Sequence, residues 1–170
     1  MKYYLKENFR FFYADGALYD EDGDVAYTYE NKTLFFPQIN LYREDYLLGY
    51  VKKNFTWFLR NYDIYFNDEL VDSLDQKLTF FRSELELNRL GWKIKGDFFS
   101  WHYRIYDEND GMIAEVDQEI FRLTQRFYID IYDEENEVLI ILLVLAINQF
   151  DKDVASAAAS SSSSHSSSHN

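Results

Sequence analysis

Most of the chain alternates with a period of two, the pattern of strands with one face on a core and one in water. In Phe127-Tyr128-Ile129-Asp130-Ile131-Tyr132, Phe127, Ile129 and Ile131 point one way and Tyr128, Asp130 and Tyr132 the other. Trp92, Ile94 and Phe98 alternate in the same manner with Lys93, Lys95 and Asp97, and Glu84-Leu85-Glu86-Leu87 is a third case. Between such runs stand similar acidic clusters: Tyr19-Asp20-Glu21-Asp22-Gly23, Tyr106-Asp107-Glu108-Asn109-Asp110-Gly111, Tyr132-Asp133-Glu134-Glu135-Asn136 and the shorter Asn67-Asp68-Glu69. Asp, Asn and Gly tolerate positive φ or bond their own backbone, so these clusters are read as hairpin turns. The pattern predicts an antiparallel, mainly β domain.

A weak repeat runs through the middle. Val51 to Phe58 aligns with Leu74 to Phe81 at an offset of 23, and Val116 to Ile120 continues the series a further 42 residues on. Each copy leads into a second alternating strand, marked by Tyr62 and Ile64, by Leu85 and Leu87, and by Phe127 and Ile129. This reads as repeated hairpins about a common centre, and a closed barrel would leave no exposed edge.

One segment departs from the period of two: Val138 to Ile147 is unbroken apolar sequence that continues through Asn148 and Gln149 to Phe150. Its length exceeds a usual strand, and Asp133, Glu134, Glu135 and Glu137 lie just upstream, where a helix N-terminus attracts negative charge. A helix is therefore expected at about 137–150. It falls short of the roughly 20 apolar residues of a membrane span. A helix apolar on every side must be buried on every side. Leu139, Ile140, Leu142, Leu143, Leu145, Ala146 and Ile147 are its expected core positions, and the expected fold is a closed barrel wrapped around it.

Composition narrows the functional classes. Of 170 residues, 30 are Asp or Glu against 17 Lys or Arg, a formal charge of −13, while 47% are hydrophobic and 19% aromatic. There is apolar surface enough for a core, so global disorder is excluded. The acidic balance makes nucleic acid a poor partner. With no Cys there is no disulfide framework and no thiolate nucleophile. The N-terminal stretch carries charges every few residues and lacks a signal-peptide pattern, so a cytoplasmic location and no transmembrane segment are expected. From Asp151 the composition turns to Ala and Ser, and residues 153–170 are expected to form a disordered tail outside a domain of residues 1–152. Asp151, Lys152 and Asp153 contribute −1, so residues 1–150 keep −12.

Candidate chemistry is sparse. His102 is the one His before the tail, and Ser100, His102 and Arg104 would share the polar face of a strand. Neighbours two apart on a strand lie roughly 7 Å from each other, too far for a direct Ser–His hydrogen bond, and His102 is read as a surface side chain. Asp20, Asp22 and Asp24 suggest calcium but lack the twelve-residue loop and distal Glu of an EF-hand, and a hairpin turn accounts for them. Two His in the tail, His165 and His169, stand four apart in a Ser-rich run with little helix drive. No catalytic, cofactor-binding or metal residues are assigned.

Met1 to Glu7, Gly49-Tyr50-Val51-Lys52-Lys53, Tyr62-Asp63-Ile64-Tyr65, Leu78-Thr79-Phe80-Phe81, Ile94-Lys95-Gly96-Asp97-Phe98 and Val144 to Gln149 follow in an order and spacing that resembles the LURP-one-related family of the tubby-like superfamily, which includes phospholipid scramblases. The resemblance covers nearly all of residues 1–152 and implies a barrel of about twelve strands threaded by its C-terminal helix. Tubby proteins bind phosphoinositides through basic side chains. Here the local basic pairs are Lys52 with Lys53 and Lys93 with Lys95, which are the lipid-binding candidates, with solvated strand faces as their plainer reading. The expected function is a non-enzymatic binding or scaffold module for a protein or small ligand. The alternative is a peripheral phospholipid- or phosphoinositide-binding protein with a lipid headgroup as partner, and an enzyme with an unrecognised pocket stands third.

Overall fold

The structure is a computed structural model that describes residues 1–8, 15–32, 38–56, 59–75, 84–97, 100–121 and 124–162. The first half of the chain forms β1 (Lys2–Asn8), β2 (Gly16–Tyr19), β3 (Val25–Asn31), β4 (Gln38–Arg43), β5 (Tyr46–Thr56) and β6 (Leu59–Phe66). The second half forms β7 (Glu69–Asp75), β8 (Glu84–Glu86), β9 (Lys93–Asp97), β10 (His102–Tyr106), β11 (Met112–Phe121), β12 (Thr124–Ile131) and the helix α1 (Glu137–Ser162).

All twelve strands join one antiparallel sheet in the order β7, β6, β5, β4, β3, β2, β1, β12, β11, β10, β9, β8. Every neighbour in that order is also a neighbour in sequence except the pair β1 and β12, which brings the first strand against the last with Leu5 opposite Phe127 and Tyr3 opposite Ile129. The sheet is not closed by a ladder: β7 pairs with β6 and β8 with β9, and no register joins β7 to β8 among the described residues. The expected closed barrel is corrected to that extent. The repeat reading is corrected at the same place. β5 with β6 and β11 with β12 are hairpins, whereas among the described residues the copy that leads from β7 to β8 forms no ladder. Gln76 to Phe81 of that copy, and Trp57 and Phe58 of the first, lie outside the described residues, as does Phe98.

The alternation sorts inside from outside as the period of two requires. Leu85, Leu87, Trp92, Ile94, Phe127, Ile129 and Ile131 are buried, while Glu84, Glu86, Lys95 and Tyr132 are exposed. The turns use the expected chemistry. Asn67 and Asp68 both take positive φ, 51° and 63°, the conformation that a two-residue hairpin turn demands. Asp20 Oδ1 accepts the amides of Asp22 and Asp24 at 3.1 and 2.9 Å, so that carboxylate is engaged by its own turn. Tyr132 to Asn136 is not a hairpin turn. It leads from β12 into α1, with Asn136 Nδ2 donating to Asp133 at 2.7 Å and the Asn136 carbonyl accepting from Ile140.

From Ile140 to Phe150 every side chain of α1 is buried, three full turns covered on all sides. Leu139 is partly buried at the start of this run. Such a helix needs wall all round, and the sheet supplies it by curling. Close approach is possible because Gly49 on β5 has no side chain: a Cβ there would meet the Tyr65 carbonyl and would stand 2.7 Å from Leu142 Cδ1. The helix also runs past its expected end at residue 150, to Ser162, into the stretch expected to be disordered. Once nucleated in the core, a helix propagates cheaply, and Ala155, Ala157, Ala158 and Ala159 have the highest helix propensity of any residue type. Residues 163–170, with His165 and His169, lie outside the described residues.

Leu143, 1% exposed at the middle of the run, offers a direct test. Leu143→Ala is expected to cost about 2–5 kcal/mol in urea denaturation, and Leu143→Asp to abolish the cooperative transition by burying an unpaired charge. An unchanged midpoint in Leu143→Ala would contradict the enclosed helix.

Candidate functional site

The apolar run of α1 is bounded by two buried carboxylates, sixteen residues or roughly 24 Å apart along the helix. Glu137 stands at the N-terminus, where the helix dipole favours a negative charge. Its Oε1 accepts from Tyr3 of β1 at 2.7 Å, from Tyr27 of β3, and from Arg43 of β4 at 3.1 Å. The Arg43 guanidinium also donates to the Tyr27 hydroxyl and lies over its ring, 4.6 Å from the centroid. Three strands thus converge on one oxygen. Burial holds the Tyr27 and Tyr3 phenols well above their ordinary value, and the hydrogen bond to Glu137 and its charge add to the shift. At the other end Asp153 accepts from Lys53 of β5 and Tyr62 of β6, and all three side chains are buried.

This places Lys53 differently from its sequence reading. It faces inward and is ion-paired with the helix, and only Lys52 of the Lys52-Lys53 pair is exposed, because adjacent residues of a strand point to opposite faces. Lys93 donates to Asp110 at 2.8 Å, which raises the lysine and lowers the carboxyl, and Lys95 stands 3.6 Å from Glu84. The four lysines therefore do not form one basic patch: one is internal and two are paired with carboxylates of the same chain. His102 is exposed and bonds Asp117 at 2.8 Å, Ser100 bonds Asp97 at 2.7 Å, and Arg104 bonds Glu115 at 2.6 Å. Only His102 and Arg104 share the strand face, since β10 begins at His102 and Ser100 lies in the turn before it, and the three turn to three different carboxylates rather than to one another.

The hairpin registers carry the β2–β3, β4–β5, β6–β7, β8–β9 and β10–β11 turns to the end of the sheet at which α1 begins. That rim is acidic, with the clusters Asp20 to Asp24, Glu44-Asp45, Asp68-Glu69, Asp107 to Asp110 and Asp133 to Glu135. It also carries exposed large apolar side chains: Val25, Tyr46, Leu47, Met112 and Tyr132. Elsewhere on the outer face tyrosines cover one another across strands, Tyr50 on Tyr65 with centroids 4.6 Å apart and Tyr4 on Tyr19 at 5.3 Å.

Inside, a gap of about 10 Å³ remains between α1 and the wall formed by Leu5, Leu18, Trp101, Phe127 and Ile129, with Asn148 as its one polar lining residue. That is the space of about one water, against roughly 300–1,000 Å³ for a small-molecule pocket. Among the described residues no three His, Asp or Glu side chains are placed to hold a metal ion, and no helix is long and apolar enough to cross a membrane.

A curled, mainly β sheet of twelve antiparallel strands with one C-terminal helix held in its concavity defines the structural class. The family model for LURP-one-related proteins matches residues 1–148, and the chain belongs to that family. In fold it is similar to an Arabidopsis thaliana protein of known X-ray structure, with a TM-score of 0.53 and 8% identity over 86% of this chain and 91% of that one. No curated protein matches the chain.

Neither helix anchor was evident as a cluster from spacing, since each gathers residues distant in sequence. Their energetics are testable. Asp153→Ala removes the carboxylate that the buried Lys53 ammonium donates to and is expected to cost about 3–5 kcal/mol in denaturant, whereas Lys53→Met with Asp153→Leu should restore most of the loss. An Asp153→Ala variant as stable as the parent would contradict the anchor. At the other end, Tyr27→Phe removes a donor from Glu137 and is expected to cost about 1–3 kcal/mol at pH 7. The raised phenols of Tyr3 and Tyr27 add stability in full below pH 10, where both folded and unfolded chains hold them neutral. That stability is lost as pH rises above 10 and the unfolded chain ionises first. Tyr27→Phe should therefore show a shallower alkaline decline in melting temperature than the parent, and a parallel decline would contradict the assignment.

Proposed function

We propose that this LURP-one-related protein is a non-enzymatic binding or scaffold module that works in the cytoplasm and recognises a protein partner with its outer surface. The observation that supports the reading is the buried helix: every side chain of α1 from Ile140 to Phe150 is covered, and the gap beside Asn148 holds about 10 Å³. Recognition then falls to the exterior, where the rim around the N-terminus of α1 combines exposed apolar side chains with acidic turns. The apolar side chains supply contact area and the carboxylates select a partner of positive charge. In the same reading the curled sheet is a tubby-like barrel whose β7 and β8 edges meet without a ladder. The charge of −13 works against adsorption to anionic lipid, and the dispersal of Lys52, Lys53, Lys93 and Lys95 removes the basic patch that the lipid-headgroup reading needs.

The experiment is a paired titration of the full chain, with a cationic amphipathic peptide and with vesicles of anionic or zwitterionic phospholipid, each at low and physiological salt. The expected result is peptide binding that weakens as salt rises and drops at least tenfold when Asp22 and Glu134 are replaced by Lys, with no vesicle co-sedimentation. Salt-sensitive sedimentation with anionic vesicles, lost in Lys52→Glu, would overturn the reading in favour of a peripheral lipid-binding protein.

A further inference from the structure

The two edge strands β7 and β8 share no ladder among the described residues, yet they are held together, and the means is a reciprocal pair of side chains. Asp72 of β7 is 2% exposed. It stands two residues before the buried Leu74 and opposite the buried Ile64, so alternation sets it on the same inward face, and the register of β7 against β6 shifts just before it, between Ile64 and Tyr65. Its Oδ2 accepts the backbone amides of Arg89 and Leu90 at 2.8 and 2.9 Å, and its Oδ1 accepts the amide of Ser73 at 2.7 Å. Arg89 and Leu90 belong to the tight turn between β8 and β9, closed by the Gly91 amide on the Leu87 carbonyl at 2.8 Å. Two successive N–H groups of that turn form a small anion-binding concavity, and the carboxylate of the opposite edge occupies it. The return contact runs the other way: Arg89 Nη1 donates to the Leu70 carbonyl of β7 at 2.8 Å.

We infer that Asp72 and Arg89 form a clasp that stands in for the missing ladder, and that the β7/β8 seam is the gate at which the wall opens. The chemistry of the pair fits this role. A buried carboxylate is tolerable only when charge-assisted donors satisfy it, and three backbone amides do so here. The joint is nonetheless a few side-chain bonds, whereas β5 with β6 is joined over eight residue pairs from Gly49–Phe66 to Thr56–Leu59. Among the described residues, opening the seam breaks the Asp72 and Arg89 links and leaves every ladder intact, while opening between any two paired strands must break a ladder. It also uncovers the two edges of the sheet at once, which in the closed state the clasp keeps from pairing with another chain.

Hydrogen exchange of the full chain, followed by mass spectrometry, tests the inference. In the parent the Arg89 and Leu90 amides should be protected although Arg89 is exposed. In Asp72→Ala, exchange should accelerate at least tenfold over residues 69–75 and 84–92, with β1, β12 and residues 140–150 of α1 unchanged. Arg89→Ala, which removes only the return contact and leaves the carboxylate in place, should accelerate the same two segments by a smaller factor. It decides the matter should Asp72→Ala fail to fold. Acceleration spread evenly over all strands, or none at the seam in Arg89→Ala, would overturn the clasp.

Discussion

The structure depends on one constraint, that a helix apolar on every side has to be enclosed. From Ile140 to Phe150 there is no face of α1 that water could solvate at low cost, and burying those side chains is the main hydrophobic gain of the fold. A single flat sheet covers one side of a helix. To cover all of it, twelve strands must curl until the edges approach, which is why the strand count is high for so short a chain and why Gly49 replaces a larger residue where β5 meets Leu142. The pairing of β1 with β12 follows from the same demand, since the chain must return to its start before it can drop the helix into the concavity.

Hydrophobicity alone would leave the helix free to slide by a turn, because one Leu or Ile replaces another at little cost. The two carboxylates remove that freedom. Glu137 is held where Tyr3, Tyr27 and Arg43 converge, and Asp153 is held by Lys53 and Tyr62. A buried ion pair is weak as a source of stability but strong as a device for register, because any slip strands a charge in the core. The anchors also tie opposite ends of the apolar run to different strands, β1, β3 and β4 at one end and β5 and β6 at the other, so the wall is positioned by the helix as much as the helix by the wall.

Local pattern reveals local structure, and that is where the sequence is legible. The alternation at Glu84 to Leu87, Trp92 to Asp97 and Phe127 to Tyr132 identifies strands and their inner faces, and the unbroken run from Val138 identifies the helix that they surround. What escapes is whatever depends on contacts between distant segments. Lys52 and Lys53 read as a basic pair, yet alternation forces one of any two neighbours inward, and only the position of Asp153 a hundred residues later shows why a lysine is tolerated there. Asp153 itself lies just past the composition change that marked the tail, so a residue that locks the helix reads as the first of a loose end. The seam between β7 and β8 leaves no signature in any window of sequence, because Asp72 reads as one more acidic residue in a strand. The turn-like cluster at Tyr132 to Asn136 shows the converse: the same Asp and Asn chemistry serves a hairpin in one place and a helix start in another.

The character of the outer surface is set by the same economy. Strand faces pair their charges with one another, as with Lys2 and Asp130 or Arg104 and Glu115, while some rim carboxylates are held by their own turns, as Asp20 is, or by a strand lysine, as Asp110 is by Lys93. All of this rests on the helix being the core of the sheet and not an appendage to it. The most direct measurement is the equilibrium unfolding of a chain ended at Asn136, followed by circular dichroism and by binding of a hydrophobic dye. Without α1 the twelve strands have nothing to enclose, and the account predicts no cooperative transition and strong dye binding. A cooperative transition with native-like strand content and no dye binding would contradict it.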